Sequence, residues 1–268
     1  MSLVAGSKMR RAQQMALAQR PYADQLRYLL ADVVESLTSA AADAEGDLHP
    51  LLARREVKTP GLLLLTPNRG LCGGLNTNLL RVAGGYVTTH PNTKLICVGR
   101  KGHDFFRRTR TEVIGSFTDL GDYPSSEDVR AVSSLVIDAF VSGEIDSLII
   151  VYPRYVNTVI QRPELQELLP ATPPEDATVR AVDYIYEPDA RGVLEALLPR
   201  YIEVQVYRAV LELAASEQSA RMVAMRNATD AAEEMIQELT LVRNKVRQEQ
   251  ITKELLDITG GVEALTSK

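Results

Sequence analysis

The period of the apolar positions changes twice along this chain. From Ser2 to about Ala44 they recur at steps of three and four, with Leu26, Leu29, Leu30, Val33 and Leu37 the clearest. That is the period of a helix with one buried face. Pro21 should kink this helix, and Gly46 and Pro50 should end it. From about Pro60 the pattern becomes short continuous apolar runs, as in strands buried on both faces. The runs are Gly61–Thr66, Leu95–Val98, a weaker Glu112–Phe117, and Leu148–Tyr152. Asn157–Gln161 and Val179–Tyr186 read as later, more exposed strands. Helices are predicted over Asn76–Tyr86 and from Ser125–Ser126, followed by Glu127 and Asp128, to Val141. Strands that alternate with helices imply a largely parallel sheet covered on its faces.

The third period is helical again. From Arg200 to Thr259 there is neither Pro nor Gly. As one helix this stretch would be roughly 90 Å long, whereas the α/β part should be only about 35 Å across. A helix of that length must find partners beyond its own domain. Met225, Ala228, Ala232, Met235, Leu239, Val242 and Val246 alternate at threes and fours, a coiled-coil seam. The expected partner is the first segment, lying antiparallel. The seam decays after Val246, where Glu249 takes the next apolar slot, so 247–257 is a candidate surface for other proteins. The fold expected is α/β: an antiparallel coiled coil of N- and C-terminal helices with an inserted Rossmann-like domain. The parts are an N-terminal helix over 1–46, the α/β domain over 60–190, and a C-terminal helix and tail over 191–268.

Composition removes several functions. The net charge of −5 does not suggest a nucleic-acid or anionic-lipid binder. Two cysteines, Cys72 and Cys97, are too few and too far apart for a zinc framework or disulfide scaffold, and suit a reducing compartment. No apolar run is long enough to span a membrane, so membrane association would go through partner proteins. The opening residues lack the apolar core of a signal peptide.

The Arg69–Asn76 turn is glycine-rich and joins a strand to a helix, where many α/β folds hold phosphate. Its glycines at 70, 73 and 74 do not fit GxGxxG, and no Lys follows for a P-loop, so a tight turn is the expectation. Cys72 within it reads as a structural thiol. His49, His90 and His103 share no motif. Arg100, Lys101, Arg107, Arg108 and Arg110 cluster near Phe105 and Phe106; a nucleic-acid site is one reading, and a solvated face with a two-Phe anchor is the one that the acidic total favours. Met222, Met225 and Met235 read as adaptable packing in a coiled-coil core. No spacing recommends a catalytic grouping, so neither a cofactor nor catalysis is expected.

Several stretches carry a resemblance. They are Ser7–Gln13, Arg20–Ala23, Arg69–Asn76 (RGLCGGLN), Ala220–Asp230 (ARMVAMRNATD) and Ile251–Glu254. In order and together they resemble the gamma chain family of rotary F-type ATP synthases. The resemblance implies a central rotor shaft inside a ring of three alpha and three beta subunits. The α/β domain would lie below that ring, beside the epsilon subunit and the membrane c-ring. Proton flow would turn the shaft, and ATP would form on beta. It implies polar contacts to beta at Arg247 and Gln248, and coupling-sensitive positions at Thr252, Glu254 and Asp257. Tyr184 and Glu187, in a foot segment over 183–187, would meet the c-ring or epsilon. The place implied is peripheral, on the cytoplasmic face of a bacterial inner membrane, without nucleic acid and without membrane insertion. The family usually has a basic helical stretch ahead of this chain's Met1. The start therefore reads as shortened, and the distal last helix is expected to lack its coiled-coil mate. Asn68 stands where Asp is common, and Val262 where Ala usually follows Gly261. The competing readings are a nucleotide-binding α/β enzyme with a helical oligomerisation arm, and an unrelated coiled-coil adaptor.

Overall fold

The computed structural model describes residues 2–40, 49–172, 184, 186–187 and 189–266. The chain divides into two compact units, Met1–Val223 and Ala224–Lys268.

In the first unit, α1 (Ser2–Ala40) leads to a short 3-10 turn and then to β1 (Pro60–Leu65). There follow α2 (Leu75–Thr89), β2 (Lys94–Val98), α3 (Arg100–Phe106), β3 (Glu112–Phe117), α4 (Ser126–Val141), β4 (Ser147–Tyr155) and β5 (Gln161–Leu169). The last helix, α5 (Ala190–Thr266), begins in this unit. The strand order is β3-β2-β1-β4-β5. The first four strands are parallel, and β5 returns antiparallel to β4.

Side-chain alternation divides the sheet into two faces. Leu62, Leu64, Leu95, Cys97 and Val151 bury against α2 and against Phe106 of α3. Leu63, Leu65, Ile96, Val98, Leu148 and Ile150 bury against α4, α1 and the first part of α5. The chain therefore lays α2 and α3 on one face and crosses to the other with α4, as a doubly wound sheet must. The α4 start is a capping box: the Ser125 N–H donates to Asp128 Oδ2 at 2.8 Å, and the Asp128 N–H to Ser125 Oγ at 3.4 Å. The Ser125 backbone bond holds the Asp128 carboxyl below its ordinary range.

α1 and α5 run antiparallel within this unit. Gly6 lies by Met222 Sδ, Arg20 pairs with Glu212, and Asp24 pairs with Arg208. Ala5, Ala12, Ala16 and Ala23 are all buried, and small side chains let two helices approach closely.

One strand expectation changes, and the helix bounds become defined. α1 runs through Pro21 as one helix; burial of Ala16, Ala23, Leu26 and Leu30 on its packed face supports it despite the missing N–H. α5 begins at Ala190 and contains Pro199, because buried Leu194, Leu198 and Ile202 continue one stripe across the proline. Residues 157–160 are a turn, in which Asn157 Oδ1 accepts the Val159 and Ile160 N–H groups at 2.9 and 2.8 Å. The strand is instead Gln161–Leu169, an edge, where Pro163 and the charges of Arg162, Glu164 and Glu167 are tolerated. The Val179–Tyr186 expectation lies outside the described residues except at Tyr184 and Tyr186, neither of which is in a strand.

α1 meets α5 at residues up to Met222. Ala228, Ala232, Met235, Leu239, Val242 and Val246 are exposed, and Met225 is half-buried. The Gly6, Arg20 and Asp24 pairings set the α1 register. A heptad pattern shows that a face is apolar, not which helix covers it.

Candidate functional site

In doubly wound sheets ligands enter at the carboxyl ends of the strands. Here the chain's own residues occupy that end. After β1, Thr66 Oγ1 accepts the Gly102 N–H at 2.8 Å. Asn68 Oδ1 accepts the Arg100 N–H at 2.9 Å, and its amide donates to the Thr118 carbonyl at 2.8 Å. The amides that open α3 are thus taken by side chains from the end of β1. Gly99 makes this closeness possible. Its φ is 96°, and a Cβ there would overlap the Thr66 carbonyl oxygen.

The Arg69–Asn76 turn is the tight turn expected. Leu71 and Gly73 adopt φ of 60° and 58°. Cys72 is buried, with Asn76 Nδ2 3.3 Å from its Sγ. Burial, and then the Glu217 carboxylate, pushes the Cys72 thiol up, and burial inside β2 pushes Cys97 up to about 12. The thiolate is the reactive form. In the folded chain a thiol-specific disulfide reagent at mildly alkaline pH should modify neither cysteine, and both should react once urea unfolds it. Labelling of either in the folded chain at the rate of a free thiol would contradict the burial.

α5 covers what remains of the crevice. Ser216 Oγ donates to the Pro153 carbonyl at 3.0 Å. Arg221 Nη2 donates to the Gly70 carbonyl at 3.3 Å and lies 2.5 Å from Glu217 Oε1. Burial raises Glu217, and the Arg221 bond opposes that shift. The space left is a 240 Å³ cavity bordered by Thr66, Asn68, Arg69, Asp122, Glu217 and Gln218. That is below the roughly 300–1,000 Å³ usual for a ligand pocket.

Where α1, β4 and α5 meet, sequence reasoning missed a buried polar junction. Glu212 is 1% exposed. Its Oε1 accepts from Arg20 Nε at 2.8 Å and Nη2 at 2.6 Å, and its Oε2 accepts the Tyr155 N–H at 2.8 Å. Arg20 also donates to the Tyr155 carbonyl at 2.9 Å, and Gln13 to the Tyr155 hydroxyl. A lone Glu inside the apolar run Val210–Ala215 was the available signal. Nearby, Lys8 pairs with Asp122 at 2.5 Å, which lowers the aspartate, and Arg11 lies 4.4 Å above the Tyr123 ring.

The residues expected at the tip and foot are all surface groups. Arg247, Gln248, Thr252, Glu254 and Asp257 are exposed on the second unit. Helical spacing puts Arg247, Ile251 and Glu254 on one face, and Gln248 and Thr252 on another. Tyr184 is 40% exposed, its ring 6.2 Å from that of Tyr186, and Glu187 is exposed; Asp183 and Ile185 lie outside the described residues. Tip and foot belong to different units. Met222 packs by Gly6, but Met235 is exposed rather than in a core. The histidines stay apart. His49 Nδ1 accepts the Leu51 N–H at 3.1 Å, with its ring pushed down by burial, and His90 stacks on Tyr86. Among the described residues no three His, Cys, Asp or Glu side chains are grouped to hold a metal.

The second unit presents Met235, Ile236, Leu239, Leu241, Val242 and Val246, and then Ile251, Leu255, Leu256, Ile258 and Val262, all exposed. So many apolar side chains on one helix mark a surface that other chains cover.

A family model described as ATP synthase matches residues 1–265. The ATP synthase gamma chain of Dehalococcoides mccartyi strain BAV1 is 49% identical over 267 residues, 99% of this chain and 92% of that one. The gamma chain of Chloroflexus aurantiacus strain J-10-fl is 47% identical over 272 residues, 100% of this chain and 92% of that one. The fold is similar to a chain in the central stalk and c-ring structure of Tetrahymena thermophila mitochondrial ATP synthase. The TM-score is 0.66 at 22% identity, covering 85% of this chain and 97% of that one. A family model over nearly the whole chain, relatives of nearly half identity along its length, and a last helix that offers an apolar surface agree: the chain belongs to the ATP synthase gamma chain family.

Proposed function

We propose that this chain transmits torque between a membrane c-ring and the catalytic alpha and beta subunits of a proton-driven ATP synthase, and has no catalysis of its own. The observation that carries this is the second unit: helical to Thr266, exposed over 241–262, and rich in apolar side chains. A surface of that kind is explained by a sleeve of other subunits. On this reading Arg247, Gln248, Thr252, Glu254 and Asp257 meet the beta subunits as the shaft turns. Tyr184 and Glu187 meet the c-ring or the epsilon subunit. No described helix is long and apolar enough to cross a membrane, which suits attachment through partners. The relatives are bacterial, so the cytoplasmic face of the inner membrane is the place proposed.

The test is co-expression with the alpha and beta subunits of the same complex. The chain is expected to co-purify with them, and ATP hydrolysis is expected from the assembly and not from the chain alone. Robust turnover by the isolated chain, or failure to co-assemble, would remove the reading.

A further inference from the structure

The first unit carries a cationic surface that the shaft reading leaves unused. Arg100, Lys101, Arg107, Arg108 and Arg110 are all exposed. None of the five forms an ion pair among the described residues. The chain as a whole has net charge −5, so this local excess runs against the general balance.

The scaffold beneath it is ordered. Phe106 is buried in the face of the sheet that carries α2. Phe105 packs edge-on against it at 5.1 Å and remains 41% exposed. The backbone then turns through closed bonds: Arg107 N–H to His103 O at 3.0 Å, Arg108 N–H to Phe105 O at 3.1 Å, and Thr109 N–H to Phe106 O at 3.0 Å. The Thr109 hydroxyl adds a bond to Phe106 O at 2.9 Å. Arg110 holds φ 58°, a conformation that costs a residue with a side chain and suits glycine. Unpaired like charges on this helix and the turn after it repel one another, a local cost that a bound anion would offset.

We propose that Arg100, Lys101, Arg107, Arg108 and Arg110, with Phe105 among them, bind an extended acidic polypeptide segment of another chain. Four of the five cations are arginines, whose planar fork matches carboxylates in two-point contacts. Arginine with a partly exposed aromatic ring is the composition of a protein-binding hot spot. A bilayer fits less well. Between Arg100 and Phe117 the one large apolar side chain among the exposed ones is Phe105, and interfacial anchoring needs a broader apolar face. Nucleic acid fits less well on a chain acidic overall. The inference stands apart from the shaft reading, because it uses none of the tip or foot residues.

The experiment measures fluorescence anisotropy of a labelled peptide of repeating Glu-Asp-Leu against the full chain. R107Q/R108Q/R110Q is expected to weaken binding about tenfold, the sum of three exposed ionic contacts, and F105A to weaken it less. R243Q/K245Q, on the second unit, should bind like the parent, and added salt should weaken the parent more steeply than the triple variant, which keeps Arg100 and Lys101. The triple variant should melt at or above the parent temperature, because it loses only unpaired like charges. Equal binding by triple variant and parent would overturn the proposal. So would tighter binding of phosphatidylglycerol vesicles or single-stranded DNA than of the peptide.

Discussion

Gly99→Ala is expected to cost about 4 kcal/mol or more, enough to leave much of the chain unfolded in water. Two effects add. The φ of 96° disfavours any side chain, and the new methyl group would overlap the Thr66 carbonyl oxygen. Main-chain atoms cannot rotate away as a side chain can. That main chain is also pinned, with the Thr66 N–H donating to Val98 O at 2.8 Å and the Gly99 N–H to Phe117 O at 2.8 Å. Relief would have to separate the carboxyl ends of β1, β2 and β3 together, and with them the Asn68 bonds to Arg100 and Thr118. Urea unfolding followed by circular dichroism reads the result. A midpoint unchanged from the parent would show that the β1 and β2 ends shift freely, contrary to the packing described.

The second large effect is at Glu212. Glu212→Ala is expected to lower stability by about 3 kcal/mol, in the range for breaking a buried pair by removing one partner. The carboxylate satisfies both the Arg20 guanidinium and the Tyr155 N–H, and the alanine leaves that N–H in the interior with no acceptor. The Arg20 side chain is 30% exposed, so water can take up part of its charge and keep the loss from growing further. Glu212→Gln preserves an acceptor and should cost less. Thermal melts of the two variants test the order; a glutamine variant as unstable as the alanine one would mean that charge, not the acceptor, holds the junction.

Much of the fold was legible because it depends on near neighbours. Leu62–Leu65 and Leu95–Val98 announced central strands, since a strand buried on both faces has no polar positions to show. Ser125 and Asp128 announced a helix start by an exchange of bonds across three residues. The seven-residue α3 was hidden behind its cationic residues, which speak of solvent rather than of helix. β5 was hidden because an edge strand accepts Pro163 and charged residues that a central strand would reject. Whether a segment lies at the edge is decided by the rest of the sheet. The site was legible only in part. The failure of the Arg69–Asn76 turn to match any phosphate motif was visible in its glycine spacing. That α5 covers the strand ends was not, because Arg221 and Gly70 are 151 positions apart.

The order of amino acids, taken by itself, determined the longer helices, the central strands, the apolar seam on the last helix and the family. Each rests on local periodicity or on motifs read in order. Tertiary structure alone decided that α1 meets α5 through the Gly6–Met222, Arg20–Glu212 and Asp24–Arg208 pairings. It also made Glu212 a buried junction and left Arg107, Arg108 and Arg110 without ion pairs among the described residues. The physical reason is common to all three. Periodicity fixes which face of an element is apolar or charged. What covers that face is a contact between distant residues, and its free energy exists only once the chain has folded.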